Sequence, residues 1–367
     1  MKPLIVAIAG TKPRALGPDA EKGAPRVVMK RLLLIISSIF ALAACSNGGV
    51  SSSADDKAIS FSDVSTRATL SDLEANGFGV WAGMENADGY IPILENEKVY
   101  QDNGAWTYDN KRYWFDNCTF HFFAVYPYFN SGEVQFADLL QSGNTYSGYQ
   151  INFETPSTAD QDLLVDMATV CILGSDKAEN EDGDQFEDVY PTVNFDFAHI
   201  LSKINLKVAK NSGNADEKIK VTRVVLEGVK KSGSFCCSRW SEYTDNWVVS
   251  DSPTMEVSRD MDVEITTAGT EVLGDGLLLI PQVIASSDKN ESLRVKLTIR
   301  YDYYPQGSNI ATTYEASTFL EEGSWEANTI YGYSVVLNPI ENYILFTTPT
   351  IKPWGDPQSV GGTIIIH

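Results

Sequence analysis

From residue 59 onward, apolar and polar positions alternate with the period of two that marks half-buried β-strands. Ile59 and Phe61 alternate with Ser60 and Ser62, and residues 77–82 (GFGVWA), 113–115 (YWF) and 119–126 (TFHFFAVY) read as further strands. The second half continues with Val193, Phe195 and Phe197, then Ile204, Leu206 and Val208, two runs around a short irregular centre. Residues 221–226, 276–280, 293–301, 325–337 and 344–346 follow the same rule, and the chain closes on GGTIIIH. Glycine, asparagine and aspartate punctuate these runs, and few stretches carry the i, i+3, i+4 spacing of an amphipathic helix. Residues 159–173 fit either period, but Val165, Val170, Cys171 and Ile172 lean towards strand. The pattern predicts an all-β protein built of sandwich domains.

The first 58 residues obey different rules. Met29, Lys30 and Arg31 precede an apolar run from Leu32 to Ala44, the layout of a secretory signal. That run falls short of the roughly 20 residues needed to span a bilayer. Residues 1–28 sit upstream of it, so Met29 rather than Met1 is the expected start. Residues 46–57, rich in serine and glycine, read as a flexible tether. Arg67 and Ala68 lie among small and hydroxyl residues (STRAT), an accessible setting for an Arg-specific protease. The acidic, glycine-containing segment 174–187 marks a long loop or the domain boundary. The expected division is 1–28 upstream, 29–45 signal, 46–67 tether and first strand, 68–188 N-terminal sandwich and 189–367 C-terminal sandwich.

Charge narrows the function. The chain carries 28 basic and 49 acidic residues, and removing the seven basic and two acidic ones up to Cys45 leaves 21 against 47. A surface that acidic repels nucleic acid and anionic headgroups, which excludes a nucleic-acid partner. The acidic loop lacks the spacing of a calcium-binding EF-hand, so no metal and no cofactor is called for.

Catalytic signals are weak. Of the three histidines, His121 lies between two phenylalanines, His199 ends a strand-like run and His367 is terminal, so the first two read as structural, hydrogen-bonded side chains. Zincin, nucleophile-elbow and phosphate-loop motifs are absent, and a non-enzymatic role is expected. A facing pair of carboxylates is left open by sequence alone. Two aromatic clusters, Trp106 with Tyr108, Tyr113 and Trp114, and Trp240 with Tyr243 and Trp247, suit either a core or a glycan-stacking surface, the core being favoured. The cysteines after the signal are Cys118, Cys171, Cys236 and Cys237; a Cys118–Cys171 bridge is open, whereas the adjacent pair is strained for bridging. The isoleucines at 364–366 form a sticky edge that must pair within their own sheet or in another molecule's.

Leu42-Ala43-Ala44-Cys45 resembles the lipobox of bacterial lipoproteins, which implies a diacylated Cys45 as first mature residue. With it, ISFS at 59–62 before STRAT, FAVYPY at 123–128, FAHILSKI at 197–204, GSWEAN at 323–328 and the stretch 351–354 resemble the fimbrillin family, lipoprotein-derived subunits of type V fimbriae. The resemblance implies two sandwich domains of transthyretin-like Greek-key topology, export to the outer membrane and assembly at the cell surface. It also implies cleavage after Arg67, exposing Ala68 as the new start and removing a strand that carries Ile59 and Phe61. A neighbouring subunit would then donate Thr363, Ile364, Ile365 and Ile366. Partners implied are other fimbrial subunits, an Arg-specific maturation protease, the outer membrane through lipid on Cys45, and a glycan or host-surface ligand if the subunit is an adhesive tip or keeps its anchor.

Overall fold

In a computed structural model of the chain, the structure describes residues 57–66, 70–129, 136–142, 145–172, 190–211, 216–238, 247–249, 253–285, 294–338, 343–354 and 362–366. All lie in the compact unit spanning residues 51–367. Cys45, Arg67, Ala68, the acidic segment 174–187, Trp240 and Tyr243 fall outside the described residues.

The elements run β1 (Ser60–Thr66), α1 (Leu70–Asn76), β2 (Phe78–Asn86), β3 (Gly89–Asp102), β4 (Ala105–Thr107), β5 (Cys118–Tyr126) and β6 (Phe136–Ser142). Next come β7 (Thr145–Glu154), β8 (Leu164–Ile172), β9 (Thr192–His199), β10 (Ser202–Lys210), β11 (Lys218–Lys230), β12 (Ser232–Ser238) and β13 (Trp247–Val248). Then follow β14 (Thr254–Glu264), β15 (Thr270–Glu271), β16 (Leu277–Leu279), β17 (Gln282–Ile284) and β18 (Lys296–Tyr304). The last are β19 (Thr312–Phe319), β20 (Gly323–Trp325), β21 (Thr329–Asn338), β22 (Tyr343–Pro353) and β23 (Gly362–Ile366).

Among the described residues α1 is the one helix, so the all-β expectation holds. The largest sheet orders β1-β9-β8-β5-β2-β3-β4, with β23 also paired to β8. Its strands enclose an aromatic core in which Phe61, Phe78, Phe120, Phe122, Phe195 and Phe197 are all buried. β9, from the start of the second half of the sequence, therefore belongs to the sheet of the first half. A second core lies between the sheets β14-β11-β18-β19 and β15-β10-β21-β22, filled by Val221, Leu226, Ile299, Val335 and Leu337 among others.

β5 explains why one segment reads as nearly continuous apolar sequence. Phe120 and Phe122 face the first core, while Phe123 and Val125 face a third cluster against Tyr149 and Ile151 of β7 and Phe235 of β12. A strand buried on both faces loses polar alternation. β12 pairs antiparallel with β7, so a strand from the second half completes the sheet beside the first.

One sequence expectation needs correction, and one open alternative closes. Residues 113–115 do not form a strand: Tyr113 makes a single bridge to Ala58. The in–out alternation is real, with Trp114 buried between exposed Tyr113 and Phe115, but one bridge does not extend into a ladder. A Cys118–Cys171 bridge is excluded by register. Cys118 faces Ile172 across the β5–β8 ladder and Cys171 faces Thr119, so the two thiols project from opposite faces. Cys118, Cys171 and Cys236 are free.

Candidate functional site

β1 is the element on which the sequence reading turns, and the structure gives it a complete seat. It runs parallel to β9, with Ser60 beside Thr192, Phe61 beside Val193 and Ser62 beside Asn194. After a register shift, Ser65 pairs with Asp196 and Thr66 with Phe197. Period-two alternation sends Ile59 and Phe61 into the core, and the register shift between Ser62 and Ser65 returns Val64 to the same side, each less than a tenth exposed. Phe61 stacks on Phe195 at 5.8 Å and meets Tyr108 and Phe122 edge-on at 5.4 and 6.3 Å. The opposite face is hydroxylic: Ser62 Oγ lies 3.0 Å from Thr192 Oγ1 and 2.9 Å from Asn194 Oδ1, and Ser65 Oγ donates to Asp196 Oδ1 at 2.8 Å.

The entrance to β1 is pinned by the loop after β4. Ile59 N donates to Arg112 O at 2.8 Å, and Trp114 N donates to Lys57 O at 2.9 Å. Tyr108 Oη donates to Ile59 O at 3.0 Å while accepting from Arg112 N at 3.0 Å. Burial pushes the Tyr108 phenol above its ordinary pKa, so it stays a donor across the physiological range.

These contacts tell what would follow if β1 left. Fully burying each of three such side chains contributes about 1.5–3 kcal/mol, so the empty seat would uncover roughly 5–9 kcal/mol of apolar contact. It would also leave the β9 edge without its hydrogen-bond partner, and an apolar groove beside an open edge is the geometry that accepts an added strand. Sequence position places Arg67 directly after the last residue of β1 and before α1 begins at Leu70. A cut there would separate the whole of β1 from the body.

The other predicted sites are placed as follows. Residues 363–366 lie in β23, parallel to β8, with Thr363 beside Thr169 and Ile366 beside Ile172. His121 is buried, with Nε2 3.3 Å from Glu85 Oε2 and Nδ1 3.4 Å from Thr169 Oγ1. His199, equally buried, holds Asp162 through Nδ1 at 2.9 Å and stacks on Trp354 at 3.6 Å. Both are hydrogen-bonded within the fold, as their sequence settings suggest. Tyr108 and Trp114 of the first aromatic cluster are core residues, Trp106 packs partly buried against the core and Tyr113 is exposed. Trp247 is half-buried, its indole donating to Ile200 O at 2.7 Å. Sequence reading missed the Tyr108 clamp on Ile59 and the His199–Trp354 stack; neither leaves a local signal, because each joins segments far apart in the chain.

Residues 66–354 match the family model described as fimbrillin-like. A fimbrial protein from Bacteroides vulgatus, 20% identical, superposes with a TM-score of 0.60, covering 82% of this chain and 100% of that one. A candidate cell adhesion protein from Bacteroides uniformis is 14% identical with a TM-score of 0.46, over 81% of this chain and 98% of its own. Another from Bacteroides ovatus is 17% identical at 0.45, over 82% and 99%. No curated protein matches the chain. At these identities the structural likeness speaks for the fold, and the first of the three carries it.

Proposed function

Because the chain belongs to the fimbrillin-like family, we propose that it is a structural subunit of a cell-surface fimbria that polymerises by strand exchange. In this reading the protein is exported as a lipoprotein through Cys45 and held at the outer membrane. An Arg-specific protease then cuts after Arg67, freeing β1 together with the lipid. The vacated seat on β9 takes the C-terminal strand of a neighbouring subunit, residues 363–366. Head-to-tail contacts of this kind do not close on themselves, and they generate a filament.

The observation that carries the reading is the build of β1. It is a short strand with Phe61 and Val64 in the core, and Ile59 just before it is buried as well. Its chain connection to the body is the segment that contains Arg67. Removing it costs no domain, yet it leaves a groove suited to another β-branched strand.

The test is the N-terminus and mass of the protein recovered from the cell surface, with and without an Arg-specific protease. The expected result is a start at Ala68 together with SDS-resistant ladders after cleavage. A lipid-bearing Cys45 that persists on a protein monomeric throughout would overturn the proposal, leaving a surface-anchored subunit.

A further inference from the structure

β8 carries two different neighbours on one edge. β9 pairs with it only at Leu164–His199 and Val165–Ala198. There the ladder stops, and the next contact is through a side chain, Asp166 accepting the Asp196 backbone N–H at 2.7 Å. Beyond this point Ala168, Val170 and Ile172 still face the core, so the edge from 168 to 172 is apolar and would be exposed to pairing with any strand. β23 fills that stretch in parallel, from Gly362 beside Ala168 to Ile366 beside Ile172. By the pleat, positions 364 and 366 fall on the side of buried Val170 and Ile172, and 363 and 365 on the side of Thr169 and Cys171.

The direction of β23 has a cause. Trp354 stacks on His199 with ring planes 12° apart, and its backbone N–H donates to Asn328 O at 2.8 Å. His199 is the partner of Leu164, so the chain departs beside the start of β8. A segment leaving from there and running along β8 must run parallel to it. Ala168 lies about 13 Å further along the strand, and the seven residues 355–361 can span up to about 25 Å. Pairing within one chain is therefore geometrically permitted, and a short connection gives it a high effective concentration over pairing between chains.

We infer that the Ala168–Ile172 edge of β8 is a second strand-acceptor site, separate from the place of β1 on β9, and that its occupant is the chain's own C-terminal strand. β1 and β23 share no ladder partner, so both seats are filled at once. An uncut subunit thus keeps its groove closed by β1 and its C-terminal strand held on β8. The consequence for assembly rests on the fimbrial reading above: the strand must leave β8 before it can serve a neighbour.

Native Cys171 supplies the test, because Ile365 is its register partner. The full chain carrying Ile365→Cys is expressed at the surface of a Gram-negative host and oxidised with diamide before and after Arg-specific cleavage. The expected result is an intrachain disulfide between Cys171 and the introduced thiol, identified by peptide mapping. It should be absent from Ile364→Cys, whose position pairs with Val170 on the opposite face, and from the Cys171→Ser, Ile365→Cys double variant. After cleavage the oxidised variant should stay monomeric and form ladders once reduced. A variant that remains reduced, or links only between chains, overturns the inference, as does an oxidised variant that polymerises like the unsubstituted chain. If the intrachain link forms while the unsubstituted, cleaved chain never polymerises, the β8 site stands and the fimbrial reading falls.

Discussion

Phe61 stacks on Phe195 with ring centroids 5.8 Å apart and planes at 23°, joining the first strand of the chain to one more than a hundred residues later. β1 is thus no appendage. Its aromatic side chain sits in the middle of the first core, while its backbone lies on the margin of the sheet, paired to β9 alone.

Replacing Phe61 by alanine tests this directly. Phe→Ala changes in cores cost about 3–5 kcal/mol, so the uncut chain should lose that much stability in urea denaturation. Ser62→Ala, on the hydroxylic face, should cost only about 0.5–1.5 kcal/mol. On the proposed strand exchange, the cleaved, assembled protein should show no difference between Phe61→Ala and the unsubstituted chain, because residue 61 would leave with the released segment.

The cysteines give a second expectation. Cys118 is buried, with its thiol pushed up by burial and by the nearby Asp116 carboxylate, whereas Cys171 is partly exposed. Alkylation of the native protein at neutral pH should modify Cys171 well before Cys118, and denaturation should level the two. A Cys118–Cys171 disulfide in peptide maps of the oxidised protein would contradict the β5–β8 register.

That register shows what was legible in the sequence and what was not. The alternation of Ile59 and Phe61 with serines, and of Val193, Phe195 and Phe197, predicts both strands and their buried faces from local pattern alone. That the two strands pair in parallel is a non-local fact with no local trace. Cys118 and Cys171 illustrate the same limit, since their faces depend on the offset between two strands and a shift by one residue would reverse the answer. α1 is seven residues long, too short for a helical period to emerge, and its end is marked only by Gly77 at φ 70°, with its N–H on Leu73 O. The seat of β23 was legible as a need for pairing at three consecutive isoleucines, but not as a place.

Alkaline pH should destabilise the fold through its buried tyrosines. Burial raises the pKa of Tyr108, Tyr301, Tyr331 and Tyr333 above the ordinary 10.0. The folded state therefore holds these protons more tightly than the unfolded chain does. Their contribution is fully present below pH 10 and is lost as pH rises from there through the folded-state values. Urea midpoints should be flat with respect to these groups at neutral pH and fall above pH 10. The tyrosinate absorbance of the native protein should show a late-ionising group that merges with the rest on unfolding.

Gly228 offers a test of the second core that is independent of any assembly. It sits in β11 at φ 89°, where the register against β14 shifts between Glu227 and Val229, the signature of a β-bulge. A Cβ at this position would strike the backbone carbonyl of Arg294, and backbone cannot swing aside as a side chain would. The left-handed conformation alone costs a non-glycine residue about 1–3 kcal/mol, and the clash adds to it. Gly228→Ala should therefore lower thermal stability markedly, while alanine at Gly307, also at positive φ but with open space around the added carbon, should cost only the backbone strain. Equal losses in calorimetry would mean that Gly228 and the Arg294 carbonyl are not in close contact at the end of the β11–β18 ladder.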